Sequence, residues 1–327
     1  MDAFSGFRGR PGEYQGQERK TINSFGFIST PEIRFIKPEN TIRVVFMGGS
    51  ATAGTGFDLS DRNTWPWLVW KILQKNVRGK RVEFINGALG GYTSFESYGR
   101  FWSRIRFFSP DIIVLCHGWN EMYYFNKDKV DDMISWRMLS DGSWTLDRSD
   151  EAVAIYEPML IDHLLRPSQA LIRLRLRFSK PGGGYMGELG SSAKAFDRYD
   201  RRGLEIWRTN LGLFRESAKF LGVKLFVAKQ PTLMVPGLPR EERLRCRIDF
   251  HGFGYEEHLD AFEQIYRVID EEIAKDDIID LTELSGRPQY FYDHVHPTRE
   301  GVSAIAEIVY RHLLEYLNPQ KKAEEIP

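Results

Sequence analysis

The sequence predicts an α/β protein: a three-layer α/β/α sandwich in which helices cover both faces of a central parallel sheet of about five strands. Three observations lead to this fold class. Short apolar runs alternate along the chain with longer segments of helical periodicity, which is the order expected of a parallel sheet. The first of these runs ends in glycines, as suits a buried parallel strand. With 327 residues, of which 42% are hydrophobic, the chain is long enough to bury a sizeable core.

Five segments are predicted to be strands. The first, residues 42–47, is a short apolar run that ends at Gly48 and Gly49. The third, residues 111–116, is the clearest, because Asp111 is followed by an unbroken apolar run. In chain order, the predicted strands are residues 42–47, 81–85, 111–116, 223–228 and 278–281. In such a sheet the reactive groups collect at the carboxyl ends of the strands.

Helices are predicted between the strands and after the last one. The first rests on the near-helical spacing of Trp67, Trp70, Ile72 and Leu73. In chain order, the predicted helices are residues 63–77, 95–108, 202–221, 256–275 and 299–317. The last of them closes the fold.

The predicted organisation is a single domain over residues 41–320. Residues 1–40 are predicted to form an extended, irregular arm, punctuated by Pro31 and Pro38. Residues 321–327 are predicted to be a C-terminal tail. The chain contains no internal repeat and no low-complexity tract.

A long insertion interrupts the alternation after the third strand, at about residues 122–200. It is rich in Trp, Arg, Asp and Gly and has no clean period. Its alternating basic and apolar run, residues 171–178, is typical of a half-buried strand or an amphipathic helix packed on the core. The alternatives are a cap over an active site or a basic surface that meets an anionic polymer or membrane.

Charge and composition exclude several classes of function. The 45 basic residues balance the 45 acidic ones, so no overall basic field favours a nucleic-acid partner. Cys116 and Cys246 make neither a disulfide framework nor a zinc or redox motif. No transmembrane segment is predicted, since no apolar stretch approaches roughly 18 residues.

The first thirty residues lack the apolar core of a signal peptide. The sequence as given therefore predicts a soluble, cytoplasmic protein, and an extracytoplasmic one stays open if the N-terminus is incomplete. No feature of the sequence indicates an oligomeric state.

The first candidate loop follows the first strand and contains Ser50 in the run 48–52. A small-residue turn between strand and helix is also typical of a phosphate-binding loop. However, no Lys follows as in a P-loop, and the run 49–54 lacks the middle glycine of a dinucleotide fingerprint. It also differs from the nucleophile elbow of α/β-hydrolases, because Thr52 stands where that motif has glycine.

The second and third candidate loops follow the next two strands. The second, residues 86–93, carries glycines that let the backbone approach a ligand and present an N–H to it, although a structural turn explains them equally well. The third, residues 117–121, contains Asn120, whose side-chain amide can donate to an oxyanion. On its own, an asparagine there is more often a turn former or a helix cap.

The fourth candidate loop, residues 292–297, precedes the last helix and contains Asp293 and His296. Residues three apart can meet across one turn, so Asp293 is placed to accept from one ring nitrogen of His296 and leave the other as a base. The pair His294 and His296 is also compatible with a metal site. Because no convincing set of further ligands is found, no metal is predicted and His294 is interpreted as a bystander.

Taken together, the four loops resemble the sequence blocks of the SGNH hydrolase family, a branch of the GDSL esterases and lipases. Residues 48–50 are similar to the first block, with Gly-Gly-Ser in place of Gly-Asp-Ser. Residues 86–93 are similar to the second block, in which Gly91 matches the oxyanion glycine. Residues 118–121 are similar to the G-x-N-[DE] block, and residues 293–296 to the D-x-x-H block.

This resemblance covers residues 42–125 and 201–315, and it does not cover the insertion. It implies a flavodoxin-like SGNH hydrolase fold and a serine esterase or acylhydrolase that needs no metal or organic cofactor. Gly49 replaces the Asp of the named motif, a departure that is common to a large subset of the family.

The resemblance also implies roles for individual residues. Ser50 is the nucleophile, His296 the base and Asp293 the residue that orients it. The oxyanion hole is formed by the backbone N–H groups of Ser50 and Gly91 and by the side chain of Asn120. The implied substrate is a small-molecule or carbohydrate ester, and the resemblance leaves its acyl chain open from acetyl to long-chain. The hydrophilic chain, with Trp and Arg in the insertion, favours short acyl groups such as acetyl on carbohydrate.

Several alternatives stay open at the level of sequence. An O-acyltransferase acting on a polysaccharide would use the same residues with a sugar hydroxyl in place of water. A non-catalytic carbohydrate-binding protein would keep the fold without the reaction, and a phosphate- or nucleotide-binding protein would use the first loop.

The candidate substrate pocket is assigned to Trp119, Gly90 and Tyr92, which lie within the second and third loops. The tryptophans at 65, 67 and 70 resemble an aromatic platform for sugar. Their near-helical spacing instead predicts core positions. Glu121 is interpreted as a cap of the segment that follows it.

Overall fold

The computed structural model describes residues 11–15, 19–54, 60–127, 199–246 and 251–318. Most of the predicted insertion, including the run 171–178, lies outside these residues, as does the predicted tail at 321–327. Among the described helices, none is both long and apolar enough to cross a lipid bilayer.

A five-stranded parallel sheet forms the centre of the molecule. The strands of the described chain are β1 (Gly12–Gln15), β2 (Arg19–Ile22), β3 (Thr41–Gly48), β4 (Arg81–Asn86), β5 (Ile112–His117), β6 (Lys224–Lys229) and β7 (Ile278–Asp280). The central sheet has the order β4-β3-β5-β6-β7, and every neighbouring pair in it is parallel. This is the doubly wound order in which the first central strand lies inside the sheet.

Helices cover both faces of this sheet. The α-helices of the described chain are α1 (Ser50–Ala53), α2 (Trp65–Asn76), α3 (Ser94–Ser103), α4 (Gly203–Leu221), α5 (Arg240–Arg243), α6 (Tyr255–Glu272) and α7 (Arg299–Leu317). The predicted three-layer α/β/α fold and its five parallel strands are confirmed.

Two apolar clusters lie on opposite faces of the sheet, because successive side chains of a strand point to opposite sides. Val45 and Met47 of β3 join residues of α3, α4 and α6 in one cluster. Val44 and Phe46 join residues of α2 and α7 in the other. Each of these four side chains is fully buried, which is worth about 1.5–3 kcal/mol for a residue of this kind.

The helix predicted over 95–108 is broken in the structure. α3 ends at Ser103, and a 3₁₀ turn, Ile105–Phe108, follows it. The break falls at Arg104, whose backbone has φ −138° and ψ −56°, outside the helical region. Hydrophobic periodicity extends across this break because Ile105 and Phe108 are buried as well.

The described part of the predicted N-terminal arm differs from an irregular extension. β1 and β2 pair as an antiparallel two-stranded sheet, and Phe27 and Ile28 are buried. Arg100 of α3 donates to the carbonyl of Gly26 at 2.6 Å and to that of Gly87 at 3.0 Å. The segment thus packs against the loop that follows β4 and supports it.

Candidate active site

Ser50 lies at the carboxyl end of β3 and begins the short helix α1. The backbone N–H groups of Thr52 and Ala53 donate to the carbonyl of Gly49 at 3.2 and 2.9 Å, which fixes the turn. A Cβ at Gly48 would lie 2.4 Å from both the Cys116 carbonyl oxygen and the Thr52 hydroxyl. The small residue at position 48 therefore lets β3 pass close to β5 directly before the serine.

A chain of hydrogen bonds connects Ser50, His296 and Asp293. The Ser50 Oγ lies 2.8 Å from Nε2 of His296, although the two residues are 246 positions apart. Nδ1 of His296 lies 2.7 Å from Oδ2 of Asp293. The second carboxylate oxygen, Oδ1, accepts the N–H groups of Val295 and His296, each at 2.9 Å. One carboxylate thus holds both the ring and the backbone of the histidine.

Asp293 stays ionised in this setting. Burial raises the pKa of its carboxyl group, but the hydrogen bond from His296 and the charges of His294 and His296 outweigh that effect. The net result holds the pKa of Asp293 well below its usual range. A permanent carboxylate beside Nδ1 favours the tautomer in which Nδ1 carries the proton and Nε2 faces Ser50 as an acceptor.

The loop that carries Asp293 and His296 is anchored to the segment after β6. The carbonyl of His294 accepts the N–H of Leu233 at 2.9 Å and the hydroxyl of Thr232 at 2.8 Å. The Tyr292 N–H closes the loop by donating to the His296 carbonyl at 2.9 Å. These bonds fix the loop at the carboxyl edge of the sheet.

Asn120 faces the serine turn from the segment that follows β5. It lies in a 3₁₀ helix, Trp119–Phe125, and its Nδ2 donates to the carbonyl of Tyr92 at 2.8 Å. A Cβ built on Gly49 would lie 2.4 Å from that Nδ2. Glycine at position 49 therefore leaves the space that the Asn120 amide occupies.

Gly90, Gly91 and Tyr92 form the loop after β4. The Tyr92 N–H donates to the Leu89 carbonyl at 3.1 Å, closing a β-turn in which Gly91 has φ +78°. That conformation at the third position of a turn favours glycine. Tyr92 is fully buried, with the guanidinium of Arg100 5.9 Å from its ring centroid. The ring is thus part of the core beneath the loop, and the Tyr92 carbonyl accepts the Asn120 amide.

A small cleft opens beside Ser50. Of the described residues, those lining it are Gly49, Ser50, Cys116, His117, Gly118, Trp119, Asn120, Gln230 and Val295. Trp119 is thus among the lining residues, whereas Gly90 and Tyr92, the other two predicted pocket residues, are not. The tryptophan of α2 at position 65 is buried in the core. Trp67 packs edge-on against Trp70 and Phe84, and the Trp70 ring lies tilted against Phe84.

Gln230 is a site residue that the sequence analysis missed. It lies directly after β6, and its Oε1 accepts the Trp119 N–H at 2.8 Å. A Cβ at Gly118 would come within 2.8 Å of the same oxygen. The position of Gln230 just after a predicted strand could have indicated a site residue, because polar residues at the carboxyl ends of parallel strands collect at this edge of the sheet.

Three buried histidines surround the indole of Trp119. The ring centroid of His294 lies 3.8 Å from that of Trp119, and the rings of His251 and His258 lie at 4.5 and 5.1 Å. His294 therefore joins the base loop to the segment that carries Asn120, a structural role that its interpretation as a bystander did not include. Within the described ranges no group of three or more His, Cys, Asp or Glu residues is arranged to hold a metal ion.

Comparisons with known proteins give likenesses in fold. Neither a protein-family model nor a curated protein sequence matches this chain. An acetyl xylan esterase structure aligns with a TM-score of 0.44 and 14% identity over 83% of this chain and 98% of that one. The lipase/acylhydrolase from Enterococcus faecalis aligns with a TM-score of 0.46 and 13% identity over 84% of this chain and 96% of that one. A GDSL-like lipase from Bacteroides thetaiotaomicron aligns with a TM-score of 0.43 and 15% identity over 87% of this chain and 92% of that one.

The chain resembles these hydrolases in fold. At identities of this size the likeness concerns the fold alone. The function proposed below therefore rests on the arrangement of Ser50, His296, Asp293 and Asn120.

Proposed function

We propose that the chain is a serine esterase, an acylhydrolase that cleaves an ester-linked acyl group. The observation that carries this proposal is the unbroken hydrogen-bond chain from Ser50 Oγ through His296 to Asp293, with bonds of 2.8 and 2.7 Å. A serine hydroxyl is a weak nucleophile unless an adjacent base accepts its proton, and a third group orients that base. The three residues have the spacing that this chemistry needs.

In the proposed reaction, Nε2 of His296 accepts the proton of Ser50 as the hydroxyl oxygen attacks the acyl carbonyl carbon. Asp293 stabilises the imidazolium that forms. General base catalysis of this kind contributes about 100- to 10,000-fold. His296 then gives the proton to the leaving alcohol, which departs and leaves the acyl group on Ser50. Water, activated by the same histidine, releases the acid and restores the serine.

The negative charge of the tetrahedral intermediate needs donors on the other side of the carbonyl. We assign these to the backbone N–H groups of Ser50 and Gly91 and to Nδ2 of Asn120. An amide NH₂ has two N–H groups, and the bond to the Tyr92 carbonyl uses one of them. Losing one such donor costs about 100- to 1000-fold in rate.

A short acyl group fits the proposed site best. The cleft beside Ser50 is small, with about 210 Å³ of empty space that includes its open mouth. Trp119 and Gln230, both nearly buried, bound the cleft. We propose acetyl or a similarly short acyl chain, on a small-molecule or carbohydrate alcohol.

The first experiment compares hydrolysis of p-nitrophenyl acetate, butyrate and longer esters by the wild-type protein and by Ser50→Ala. We expect activity that declines with chain length and falls by about 10⁴- to 10⁶-fold in the variant. Ser303→Ala is the matched control, because Ser303 is an exposed residue of α7 whose hydroxyl bonds the Arg299 carbonyl. It should retain full activity.

A covalent probe gives a second, independent measurement. An aryl phosphonate should add one phosphonyl group to wild-type protein, and mass spectrometry of the peptides should locate it on Ser50. Activity that survives in Ser50→Ala would contradict the proposal. Absence of both hydrolysis and labelling would instead favour a non-catalytic binding protein.

A further inference from the structure

Glu121 is a fully buried carboxylate next to Asn120, and its contacts lie in a different part of the chain. Its Oε1 accepts the backbone N–H of Ser94 at 2.6 Å, and its Oε2 accepts the Ser94 hydroxyl at 2.7 Å. The Ser94 hydroxyl in turn accepts from Nδ2 of Asn210 in α4 at 2.9 Å. Two oxygens of one side chain thus bind one residue at the start of α3.

This position suits a carboxylate. The first N–H groups of a helix lack partners within it and carry partial positive charge, so an acceptor with negative charge is stabilised there. Nδ1 of His117 also approaches Oε1 of Glu121, at 3.3 Å. Burial lowers the pKa of His117 to about 3, so this ring is neutral at ordinary pH and its Nε2 lies 2.9 Å from the Ser97 hydroxyl.

Three contacts join the 3₁₀ helix Trp119–Phe125 to the beginning of α3. Asn120 donates to the Tyr92 carbonyl at 2.8 Å. The hydroxyl of Tyr124 lies 2.6 Å from that of Thr93. The Glu121–Ser94 pair lies between them in sequence and supplies the only charged group of the three contacts. Glu121, the residue next to Asn120, is thus bound to Ser94 through both of its carboxylate oxygens. This bond helps to hold the Asn120 amide in the cleft.

We propose that Glu121 is a positioning residue for the oxyanion donor: by binding Ser94 it sets the 3₁₀ helix against α3 and so fixes the Asn120 amide beside Ser50. The inference rests on the proposed function, because it takes Asn120 to be an oxyanion donor. Beyond the proposed function, the rate would then depend on Glu121, a residue that touches neither the substrate nor the reacting atoms. A displacement of about 1 Å in a catalytic group can cost about 100-fold in rate.

The test uses Glu121→Gln, which keeps the shape of the side chain but turns one acceptor into a donor that faces Ser94. We expect kcat to fall about 10- to 100-fold while KM changes less than about threefold, because a misplaced oxyanion donor affects the transition state. In an Asn120→Ala background the same substitution should lower kcat by less than about threefold. Two changes that act through one group are not additive.

Glu96→Gln is the matched control. Glu96 is also a buried carboxylate in the first turn of α3, but its Oε2 accepts from the N–H and the hydroxyl of Thr93 within the helix's own capping box. This substitution should lower the melting temperature as Glu121→Gln does, yet keep kcat within about twofold. Equal losses of kcat in both variants would reduce Glu121 to a structural residue and overturn the proposal. The proposal would also be overturned if Glu121→Gln lowered kcat by the same factor in the Asn120→Ala background as in the wild-type protein.

A second readout does not depend on activity. In ¹H–¹⁵N spectra, the side-chain amide of Asn120 is identified by its absence from Asn120→Ala. Its two signals should move in Glu121→Gln and in the milder Ser94→Ala, and stay in place in Glu96→Gln. If they stay in place in all three variants, the positioning role is wrong even when the esterase is active. If they move as expected and the protein hydrolyses no ester, the failure belongs to the proposed function.

Discussion

The two sides of the candidate site are held in place by different means. His296 lies in a short loop whose geometry is mainly local, since the carboxylate of Asp293 binds both its ring and its backbone. Asn120 depends on residues far away in the chain, namely the Tyr92 carbonyl and, through the next residue, Ser94. A contiguous motif therefore encodes the base side, whereas the oxyanion side is produced by packing between two segments.

The largest effect should come from breaking the local side. Asp293→Asn places an amide NH₂ or carbonyl where the carboxylate was, which removes the partner that keeps the proton on Nδ1 of His296. We expect kcat for p-nitrophenyl acetate to fall about 10⁴-fold with little change in KM, because the ring then presents the wrong tautomer to Ser50.

The matched control for that substitution is Asp280→Asn. Asp280 is the last residue of β7 and is exposed. Its carboxylate accepts the Thr282 N–H at 2.9 Å, and the side-chain oxygen of Asn can accept the same bond. Its activity should stay within about twofold of wild type. An Asp293→Asn protein that keeps a tenth of the wild-type kcat would show that the base side does not depend on its local motif.

The same contrast explains what sequence reasoning could reach. Asp293 and His296 are three residues apart, so the geometry of one turn predicts their contact without knowledge of the fold. The five strands were equally accessible, because burial on both faces leaves continuous apolar runs. The rule that the carboxyl ends of parallel strands meet at one edge places Ser50 at that edge, whereas its pairing with His296 came from the resemblance to the SGNH blocks, because His296 lies in the loop before the last helix.

Contacts between distant segments were not accessible in this way. Glu121 has the residue type of a helix cap in the sequence, but it caps α3, which begins 27 residues earlier, rather than the segment after it. Tyr92 reads as a pocket aromatic, yet its ring is buried beneath the loop. The described part of the N-terminal region reads as irregular, but Phe27 is buried against the core. In each case the structure depends on a contact with residues that are distant in the sequence, and no local sequence pattern predicts such a contact.

An intermediate effect should come from crowding the oxyanion side. Gly49→Ala adds a methyl group 2.4 Å from Nδ2 of Asn120, closer than Cβ contacts in proteins. The amide must move, and we expect kcat to fall about 100-fold, measured with the acetate ester.

Gly212→Ala is the control for adding a methyl group to a glycine. Gly212 lies within α4, and a Cβ there meets nothing within 4 Å. It should raise the free energy of unfolding by about 0.5–1 kcal/mol, as expected for glycine in a helix, and leave kcat unchanged. If Gly49→Ala is as active as Gly212→Ala, the space beside Asn120 is not required.

The smallest effect concerns the histidines that join the two sides. Burial lowers the pKa of His251 well below 6.5, and the charges of His258 and His294 lower it further. The folded protein thus keeps this ring neutral, while the unfolded chain protonates it as the pH falls below 6.5. Its contribution to stability is complete above that pH and is lost as the pH falls toward the lower folded-state pKa.

The His251 ring should lower the free energy of unfolding by about 1.4 kcal/mol for each pH unit that the pH falls within this window. Urea denaturation at several pH values between about 6 and 4.5 measures the slope, which should decrease by about that amount in His251→Gln. His312→Gln is the control, because His312 is a partly exposed residue of α7 whose ring binds the Asp276 carbonyl at 3.0 Å. An unchanged slope in His251→Gln would mean that burial beside Trp119 does not keep the His251 ring neutral in the folded protein.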